Sequence, residues 1–521
     1  MILSELLKSI EVVSTEHTET NLNIEKIAYH SDEAAAHTLF VCILGYQTDG
    51  HNYAQAAVEN GATALVVERV LETVSVPQFV VKDTRKALAA LSDCFLSHPS
   101  HALSVFGVTG TNGKTSITYM TDAIFKAHRL KTGLIGTVMI KVDEKVEPSS
   151  LTTPESLDLQ HYLAEMREAE VSHVSMEVSS SALDLKRVAS VDFDVVAFTN
   201  INKDHIELHG SFDAYYKAKA SLVRNAPKDS VAILNIDQPL LEKLKSETEA
   251  FVVTFGVEND TGDVSVSDIN MDSGRPSFTV MIRNPIRTLE GEIIAPQSFN
   301  IDLAIPGFHS IHNALTAIIV GCVNGIPVSV IKKGIEQFNG VERRFHILYD
   351  DDFMIVDDLF LNENNIESSM QALQNLSYKS IHVVHAIRGN NGPALNKENA
   401  EKMAHWFSKL NIHRVTLTIS QSHVKKKDQV AAEELDAFLS VMAAEHIAVD
   451  FYDELCDALA FSLDLVAPGD ILLITGARGM DYGAKTILEL LMKKKTNVKT
   501  EAISEVLDDK MVGMDDMMIV E

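Results

Sequence analysis

The sequence predicts an α/β protein of three domains, in which a central phosphate-loop-type, mainly parallel sheet is flanked by an N-terminal α/β domain and a C-terminal Rossmann-like α/β domain. Three observations carry this. The chain has 521 residues, too many for one core and, at ~150 residues per domain, enough for three or four. The apolar run Leu103–Phe106 leads directly into GVTGTNGKTS at Gly107–Ser116, the order strand, glycine loop, helix. Short apolar runs also alternate with helix-period segments along most of the chain, as in parallel sheets covered on both faces.

Across residues 1–98, strand-like runs at Thr38–Leu44, Ala64–Val67 and Phe79–Val81 alternate with helical patterns at Tyr53–Asn60 and Arg85–Phe95. Ser97-His98-Pro99-Ser100 reads as a hinge, because proline and small polar residues punctuate regular elements. The central domain, 99–340, then offers buried-strand candidates at His173–Val178, Val191–Phe198 and Ser230–Asn235 and a helix at Ala214–Arg224. Residues 251 to 304 have the pattern of added β structure, and Asn313–Gly325 is apolar at helical spacing. After the Asn339-Gly340 turn, a third domain at 341–496 interleaves helices with strands at Phe353–Val356, Ser380–His385, Arg414–Ile419 and Asp470–Thr475. That is the pattern of an open nucleotide-binding sheet. Residues 497–521, rich in Asp, Glu and Met, read as an acidic tail.

The glycine loop is the most informative segment. Backbone N–H groups of Gly110, Asn112 and Gly113 turn inward on a tight loop, Lys114 brings a point charge to the outer phosphates of a nucleotide, and Thr115 brings a hydroxyl to Mg²⁺ at the start of the helix. Gly110, Thr111, Asn112, Gly113, Lys114, Thr115 and Ser116 therefore form the expected ATP loop. Its spacing departs from the strict pattern, since Gly107 lies one residue too far upstream. A net charge of 45 − 73 = −28 argues against a broad nucleic-acid or anionic-membrane surface, so anionic ligands must be met by local cations, amides or metal. The four cysteines are scattered without metal or pairing spacing, and no apolar run reaches membrane-spanning length. A cytoplasmic enzyme acting as a monomer on small molecules is expected.

Four further motifs follow in order: LTTPES at Leu151–Ser156, MEVSSSALDLKRV at Met176–Val188, FTNINKDHIELHG at Phe198–Gly210 and AYYKAK at Ala214–Lys219. With the glycine loop, and with DGHNYAQAAVENGATALVV at Asp49–Val67 and PGFHSIHNALTA at Pro306–Ala317, they resemble the Mur ligase family. Within it they look like the branch that adds the third amino acid to UDP-N-acetylmuramoyl-L-alanyl-D-glutamate in peptidoglycan precursor synthesis. The resemblance implies a UDP-sugar-binding N-terminal domain, an ATP-binding central domain and a C-terminal domain for the incoming amino acid. It also implies an ATP- and Mg²⁺-dependent reaction through an acyl phosphate, in which neutralising converging negative charge dominates catalysis. The catalytic residues it implies are Lys114, Glu177, His205 and Lys219. Glu177 closes an apolar strand, where a carboxylate suits Mg²⁺ beside Thr115. His205, flanked by Asn200, Asn202 and Asp204, matches the second metal ligand. Lys219 matches the lysine that the family carbamylates (N6-carboxylysine) into a metal ligand, while Lys217 falls on another helical face.

Substrate recognition carries over less evenly. Ser31 stands where the family has a uridine-site serine, but the chain reads His30-Ser31-Asp32 where Asp-Ser-Arg is common. Thr152, Thr153, Ser179 and Arg187 match residues that hold the muramoyl-peptide, with capping or turn roles open for the serines. Ser181 replaces the histidine of the usual SSHAL. Asn313 and Arg344, with Arg343 adjacent, match contacts to the ATP base and phosphates. Asp357 matches the aspartate of a DYAHTP segment in which Phe360 here stands for histidine, leaving Asn362 or Asn364 as replacement polar groups.

The C-terminal domain departs furthest. The DNPR stretch that marks diaminopimelate-adding members is missing; after the strand near Ile419 the chain reads SQSHVKKK at Ser420–Lys427. The late GKGHE stretch becomes TGARGMD at Thr475–Asp481, and AIRGNNGPALN occupies Ala386–Asn396. Arg388 and Arg478 are the candidate acceptor-binding residues, and a plain strand-to-helix loop is the alternative for the first. Three readings remain: a ligase adding an amino acid to UDP-muramoyl-dipeptide, a relative joining another acid and amine, and a non-catalytic nucleotide-binding scaffold, which the presence of Lys114, Glu177, His205 and Lys219 disfavours.

Overall fold

The alternation read from the sequence is present in the computed structural model, which describes residues 1–494 other than 17, 18, 47, 203–205 and 273; the side chains of 206, 207 and 364 are likewise outside the described set. His205, Asp204, the Asn364 side chain and the tail at 497–521 therefore lie outside the described residues. The chain divides into two compact units, one of Met1–Ser265, Ile282–Gln297 and Leu315–Gly334, the other of Val266–Met281, Ser298–Ala314 and the chain from Ile335 on.

The first unit opens with a five-stranded sheet. Its strands are β1 (Ser14–Glu16), β2 (Lys26–Ala28), β3 (Thr38–Val41), β4 (Ala62–Val67) and β5 (Gln78–Val80), in the order β1-β5-β4-β3-β2. All neighbours are parallel except β1 with β5. Leu39, Val41, Ala64 and Val66 face one apolar core with Leu88 and Leu91 of helix α2 (Thr84–Phe95), and Phe40, Leu65 and Val67 face another with Ala54 and Ala57 of α1 (Ala54–Glu59). Asp83 caps α2 by accepting the Lys86 N–H, satisfying one of the orphan donors of its first turn. The expected hinge is bonded down: Ser97 and His98 take left-handed φ of 60° and 52°, and the Arg167 guanidinium donates to the carbonyls of Leu96 and Ser97.

The larger sheet of this unit contains β6 (Ser104–Thr109), β7 (Thr132–Ile135), β8 (Met139–Val142), β9 (Lys145–Pro148), β10 (His173–Glu177), β11 (Val195–Phe198), β12 (Val231–Asn235) and β13 (Phe251–Phe255). Their order is β13-β12-β11-β6-β10-β7-β8-β9, parallel from β13 to β7 and antiparallel for β8 and β9. Helices α3 (Lys114–Ala127), α4 (Ser156–Glu168) and α6 (Phe212–Arg224) cover it, and a short α5 (Ser180–Asp184) follows β10. Gly107, the upstream glycine, belongs to β6; a Cβ there would stand 2.5 Å from the Phe193 ring. It is a packing residue of the strand. The loop proper begins at Gly110, and Gly113 takes φ +86° at the N-terminus of α3, a conformation that favours glycine. The added β structure is β14 (Val264–Asn270), β15 (Ser277–Ile282), β16 (Ile286–Arg287), β17 (Ile293–Ile294) and β18 (Gln297–Asp302); helices at His309–Val323 and Val328–Glu336 follow.

In the second unit, β19 (His346–Asp350), β20 (Met354–Asp358), β21 (Ile381–Ala386), β22 (Arg414–Thr418), β23 (Ala448–Tyr452) and β24 (Ile471–Gly476) form a sheet of order β19-β20-β24-β21-β22-β23. All but β19 run parallel. One core packs Ile366, Trp406 and Phe438 from the helices that follow β20, β21 and β22, and the other packs Leu459 and Leu488 from those that follow β23 and β24. The chain thus leaves β21 toward one face and its neighbour β24 toward the other, a switch point of the kind where open α/β sheets hold ligands. Arg388 and Arg478 follow these two strands.

Candidate active site

The glycine loop is held by its own neighbours. Asn200 clamps it from the end of β11: its Oδ1 accepts the Asn112 N–H at 2.9 Å and its Nδ2 donates to the Asn112 carbonyl at 2.8 Å. The hydroxyls of Thr111 and Tyr215 meet at 3.1 Å. Lys114 Nζ folds back to donate to the carbonyls of Gly110 and Thr111 at 2.9 and 3.1 Å. Thr115 is buried and Ser116 half-buried in the first turn of α3. Lys219, 2% exposed, reaches the same loop from α6, its Nζ donating to the Gly110 carbonyl at 2.8 Å and standing 4.9 Å from the Tyr215 ring centre. Lys217 instead pairs with Asp213 at 2.7 Å on an exposed face.

Glu177 ends β10, the strand beside β6, in register with Val108. Its carboxylate is buried and accepts the backbone N–H and the hydroxyl of Thr137 at 2.8 and 3.1 Å. The Thr137 hydroxyl in turn meets that of Thr152 at 3.1 Å. Thr153 donates to the Glu177 carbonyl at 2.9 Å and accepts the Ser179 N–H at 3.1 Å. Ser179 caps α5, its hydroxyl accepting from the Ala182 N–H, so the capping role open in the sequence is one that this side chain performs. Arg187 donates to the Thr153 carbonyl at 3.0 Å and pairs with Glu155 at 2.8 Å. Ser31 lies apart, opening the turn Ser31–Glu33, with its carbonyl accepting from Asn60 Nδ2. No hydrogen bond among the described residues joins it to the Thr153 group.

The first unit therefore brings Lys114, Thr115 and Lys219 together around the glycine loop, and Thr152, Thr153, Ser179 and Arg187 together beside Glu177. Motif reading missed Thr137, Glu155 and Tyr215, which hold these groups in place. Glu155 lay within the quoted LTTPES and Tyr215 within AYYKAK, but only the threonines and Lys219 had a matching role there; Thr137 becomes visible only when the turn after β7 folds against Glu177. Among the described residues, no group of three His, Cys, Asp or Glu side chains comes together to hold a metal.

Asn313, Arg344 and Asp357 belong to the second unit. Asn313 is buried on its helix. Arg343, at φ +62°, is turned inward: its guanidinium donates to the carbonyls of Gly476, Ala477 and Met480 and lies 3.3 Å from the buried Asp357. Arg344, half-buried, donates to the Arg343 carbonyl at 3.2 Å. Asp358 accepts from the Leu359 N–H and the Ser369 hydroxyl, and burial pushes its carboxyl up to about 6. Phe360 takes φ +43° and is buried 6.4 Å from the His385 ring. Asn362 is a helix cap, accepting the Asn365 N–H. At the switch point Arg478 is engaged by Asp428 at 2.6 and 2.7 Å. The Arg388 guanidinium forms no hydrogen bond or ion pair with any described residue, and burial, then the nearby Arg478, lowers its pKa. Glu434 shapes its loop by accepting the N–H groups of Asn391 and Gly392 at 2.8 and 2.6 Å.

Three family models match successive stretches of the chain. A family model described as the Mur ligase middle domain matches residues 108–321, one described as the Mur ligase glutamate ligase domain matches 343–478, and one described as the Mur ligase family catalytic domain matches 23–95. The chain is 33% identical over 465 residues to the UDP-N-acetylmuramoyl-L-alanyl-D-glutamate–2,6-diaminopimelate ligase of Halalkalibacterium halodurans, covering 88% of this chain and 90% of that protein. It is 32% identical over 487 residues to the ligase of the same name from Bacillus velezensis, covering 91% and 94%. A solved structure of a ligase of that name superposes with a TM-score of 0.65 at 19% identity, covering 91% of this chain and 93% of the other. Among the described residues no helix is long and apolar enough to cross a membrane.

Proposed function

This chain belongs to the Mur ligase family of ATP-using ligases, and on that premise we propose that it joins an amino acid to UDP-N-acetylmuramoyl-L-alanyl-D-glutamate in peptidoglycan precursor synthesis. The reading is carried by one arrangement: Lys114 and Lys219 converge on the Gly110 carbonyl of a loop that opens a helix, while Glu177 ends the adjacent strand. In this reading the acid's carboxylate oxygen takes the terminal phosphoryl group of ATP and releases ADP. The amine nitrogen then attacks the acyl carbon, expels phosphate and loses a proton. Lys114, with the N–H groups of the loop, stabilises charge on the moving phosphoryl group. Asn313, Arg344 and Asp357 serve the nucleotide. Thr152, Thr153, Ser179 and Arg187 orient the acid, and Ser31 serves the uridine end.

The donor set suits a hard cation, since the Thr115 hydroxyl and the Glu177 carboxylate are oxygen ligands. When bound, Mg²⁺ supplies neutralisation of the phosphate oxygens. Lys219 as an amine is not such a ligand. Carbamylation gives it a carboxylate-like end and turns two neighbouring cations, Lys114 and Lys219, into an ion pair. His205 completes the proposed set. We place the domains at 1–98, 99–340 and 341–496, with an acidic tail at 497–521, and expect a cytoplasmic monomer that takes no nucleic-acid partner and does not insert into a membrane; sedimentation at working concentration tests its size.

The acceptor is where this chain parts from its named relatives. Ser420–Lys427 offers no guanidinium where the DNPR arginine is expected, and Arg388 is the available one at the switch point. Phosphate release should be followed with UDP-muramoyl-dipeptide and single amino acids. Turnover with this acid supports the reading. Turnover only with unrelated acids would support a ligase of another pathway, for which Ser181, Phe360 and the acidic surroundings of Ser31 speak. Nucleotide binding without turnover on any acid would support the scaffold.

A further inference from the structure

We propose that Glu155 is a positioning residue, shared between Arg85 and Arg187, that fixes the acid-binding arginine and ties to it the N-terminal turn carrying Leu44, Gly45 and Tyr46. The proposal rests on the reading of Arg187 as a contact to the acid substrate. Glu155 sits immediately before α4 and makes no cap bond to that helix, so its carboxylate is directed elsewhere. One oxygen lies 2.8 Å from Arg187 and the other 3.0 Å from Arg85, and all three side chains are only 11 to 13% exposed. Two planar guanidinium groups on one carboxylate lock its rotamer, and the carboxylate locks theirs.

Each arginine also has a second anchor. Arg187 donates to the Thr153 carbonyl, and Arg85 donates from Nε to the Leu44 carbonyl. Two residues on, the Tyr46 hydroxyl reaches Asp184 of α5 at 2.9 Å. The chain of contacts therefore runs from the Thr153 loop through Glu155 to the turn after β3, whose Gly45 and Gly50 N–H groups bond to Thr48 and Ile43. The triad carries one net positive charge, and the buried Arg187 Nε has no acceptor among the described residues.

Charge and geometry give opposite expectations, which makes the idea testable. If Glu155 were only a counter-charge, Glu155→Gln would leave two free cations and tighten an anionic acid. If it positions Arg187, the same change weakens the acid. The expected result is a KM for the acid raised about tenfold or more in Glu155→Gln and in Arg85→Ala, with kcat and the KM for ATP little changed. The double variant should be no worse than the worse single one, because Arg85 acts through Glu155. Glu155→Asp, which keeps the charge, should recover part of the loss. Hydrogen exchange of the ligand-free protein supplies an arm independent of any substrate: the Gly45 and Gly50 amides should exchange faster in both variants while the β6 and β10 amides do not. Unchanged or tighter acid binding, additive effects, or faster exchange spread over the whole unit would overturn the proposal. Failure of wild-type turnover with UDP-muramoyl-dipeptide would count against the substrate reading alone; the acid that does turn over then replaces it in the same comparison, and without one the exchange result decides.

Discussion

Lys114 and Lys219 both place an ammonium group on the Gly110 carbonyl, at 2.9 and 2.8 Å, yet their substitutions should behave differently. In the proposed reaction Lys114 stabilises the outer phosphates, and loss of such charge stabilisation is commonly ~3 kcal/mol or more, so in Lys114→Ala ligation should fall about a hundredfold or further with the fold intact. Near-normal turnover would defeat that role. Lys219→Ala, if the residue is carbamylated, removes a carboxylate, and small carboxylic acids should restore part of the activity. Lys217→Ala should be mild, since Lys217 pairs with exposed Asp213 on the surface of its helix. Intact-mass analysis under mild conditions checks the modification directly. Asp358 makes a stability argument: burial raises its folded-state value from 3.8 to about 6. Between those limits the folded protein holds a proton that the unfolded chain has lost, so stability falls as pH rises through the window, by about 3 kcal/mol. Asp358→Asn keeps an acceptor for the Leu359 N–H and should remove that slope. Its advantage over the wild type in urea midpoint should therefore appear at pH 7 and vanish near pH 4, whereas an equal gap at both would show that Asp358 titrates normally.

The elements show how a turn can control chemistry carried by another strand. Gly136, just after β7, faces the Glu177 carboxylate, and a Cβ there would stand 2.6 Å from its Oε1. Gly136→Ala must push that carboxylate off the Thr137 N–H. We expect kcat to drop about tenfold or more with a near-native thermal midpoint, because small displacements at a reacting centre are costly; unchanged kcat would mean that Glu177 tolerates displacement. Sequence periodicity located β10, β12, β21, β22 and β24 to within about two residues, because buried parallel strands are short apolar runs with few alternatives. It took Val191–Phe198 as a strand where only Val195–Phe198 pairs, since Val191 and Phe193 are buried by the approach rather than by the ladder. Strands β7 to β9 and the β1 edge were not legible: each is only three or four residues long, β7 to β9 form a tight antiparallel meander, and β1 is defined by the distant β5. The glycine loop was legible because its function demands local residues. The clamp from Asn200, the Thr137 contact to Glu177 and the use of Arg343 on the 476–480 turn were not, because each is a long-range contact with no local pattern.

Across the whole molecule, the proposed residues divide between the two compact units. Lys114, Glu177, Lys219 and Arg187 belong to the first, while Arg344, Asp357, Arg388 and Arg478 belong to the second. With a net charge of −28, the protein's long-range field gives no general attraction to an amino-acid carboxylate, so a local guanidinium has to supply it. The structure ranks the two candidates. Arg478 is already paired with Asp428 through Nη1, whereas Arg388 has no ion-pair partner among the described residues and sits on a loop shaped by Glu434. A carboxylate held by a bidentate arginine loses roughly 2 to 3 kcal/mol on Arg→Ala, so Arg388→Ala should raise the acceptor KM by tens to a hundredfold and leave the KM for ATP nearly unchanged. Arg478→Ala should be milder and act through the Asp428 loop. Because the first half-reaction does not involve the amine, acid-dependent exchange of label between ADP and ATP should persist in Arg388→Ala while net ligation fails at ordinary acceptor concentrations. If exchange and ligation fall together, Arg388 serves the nucleotide and the acceptor pocket lies elsewhere; if the wild type uses meso-diaminopimelate efficiently and exclusively, a different acceptor specificity is ruled out even though DNPR is missing.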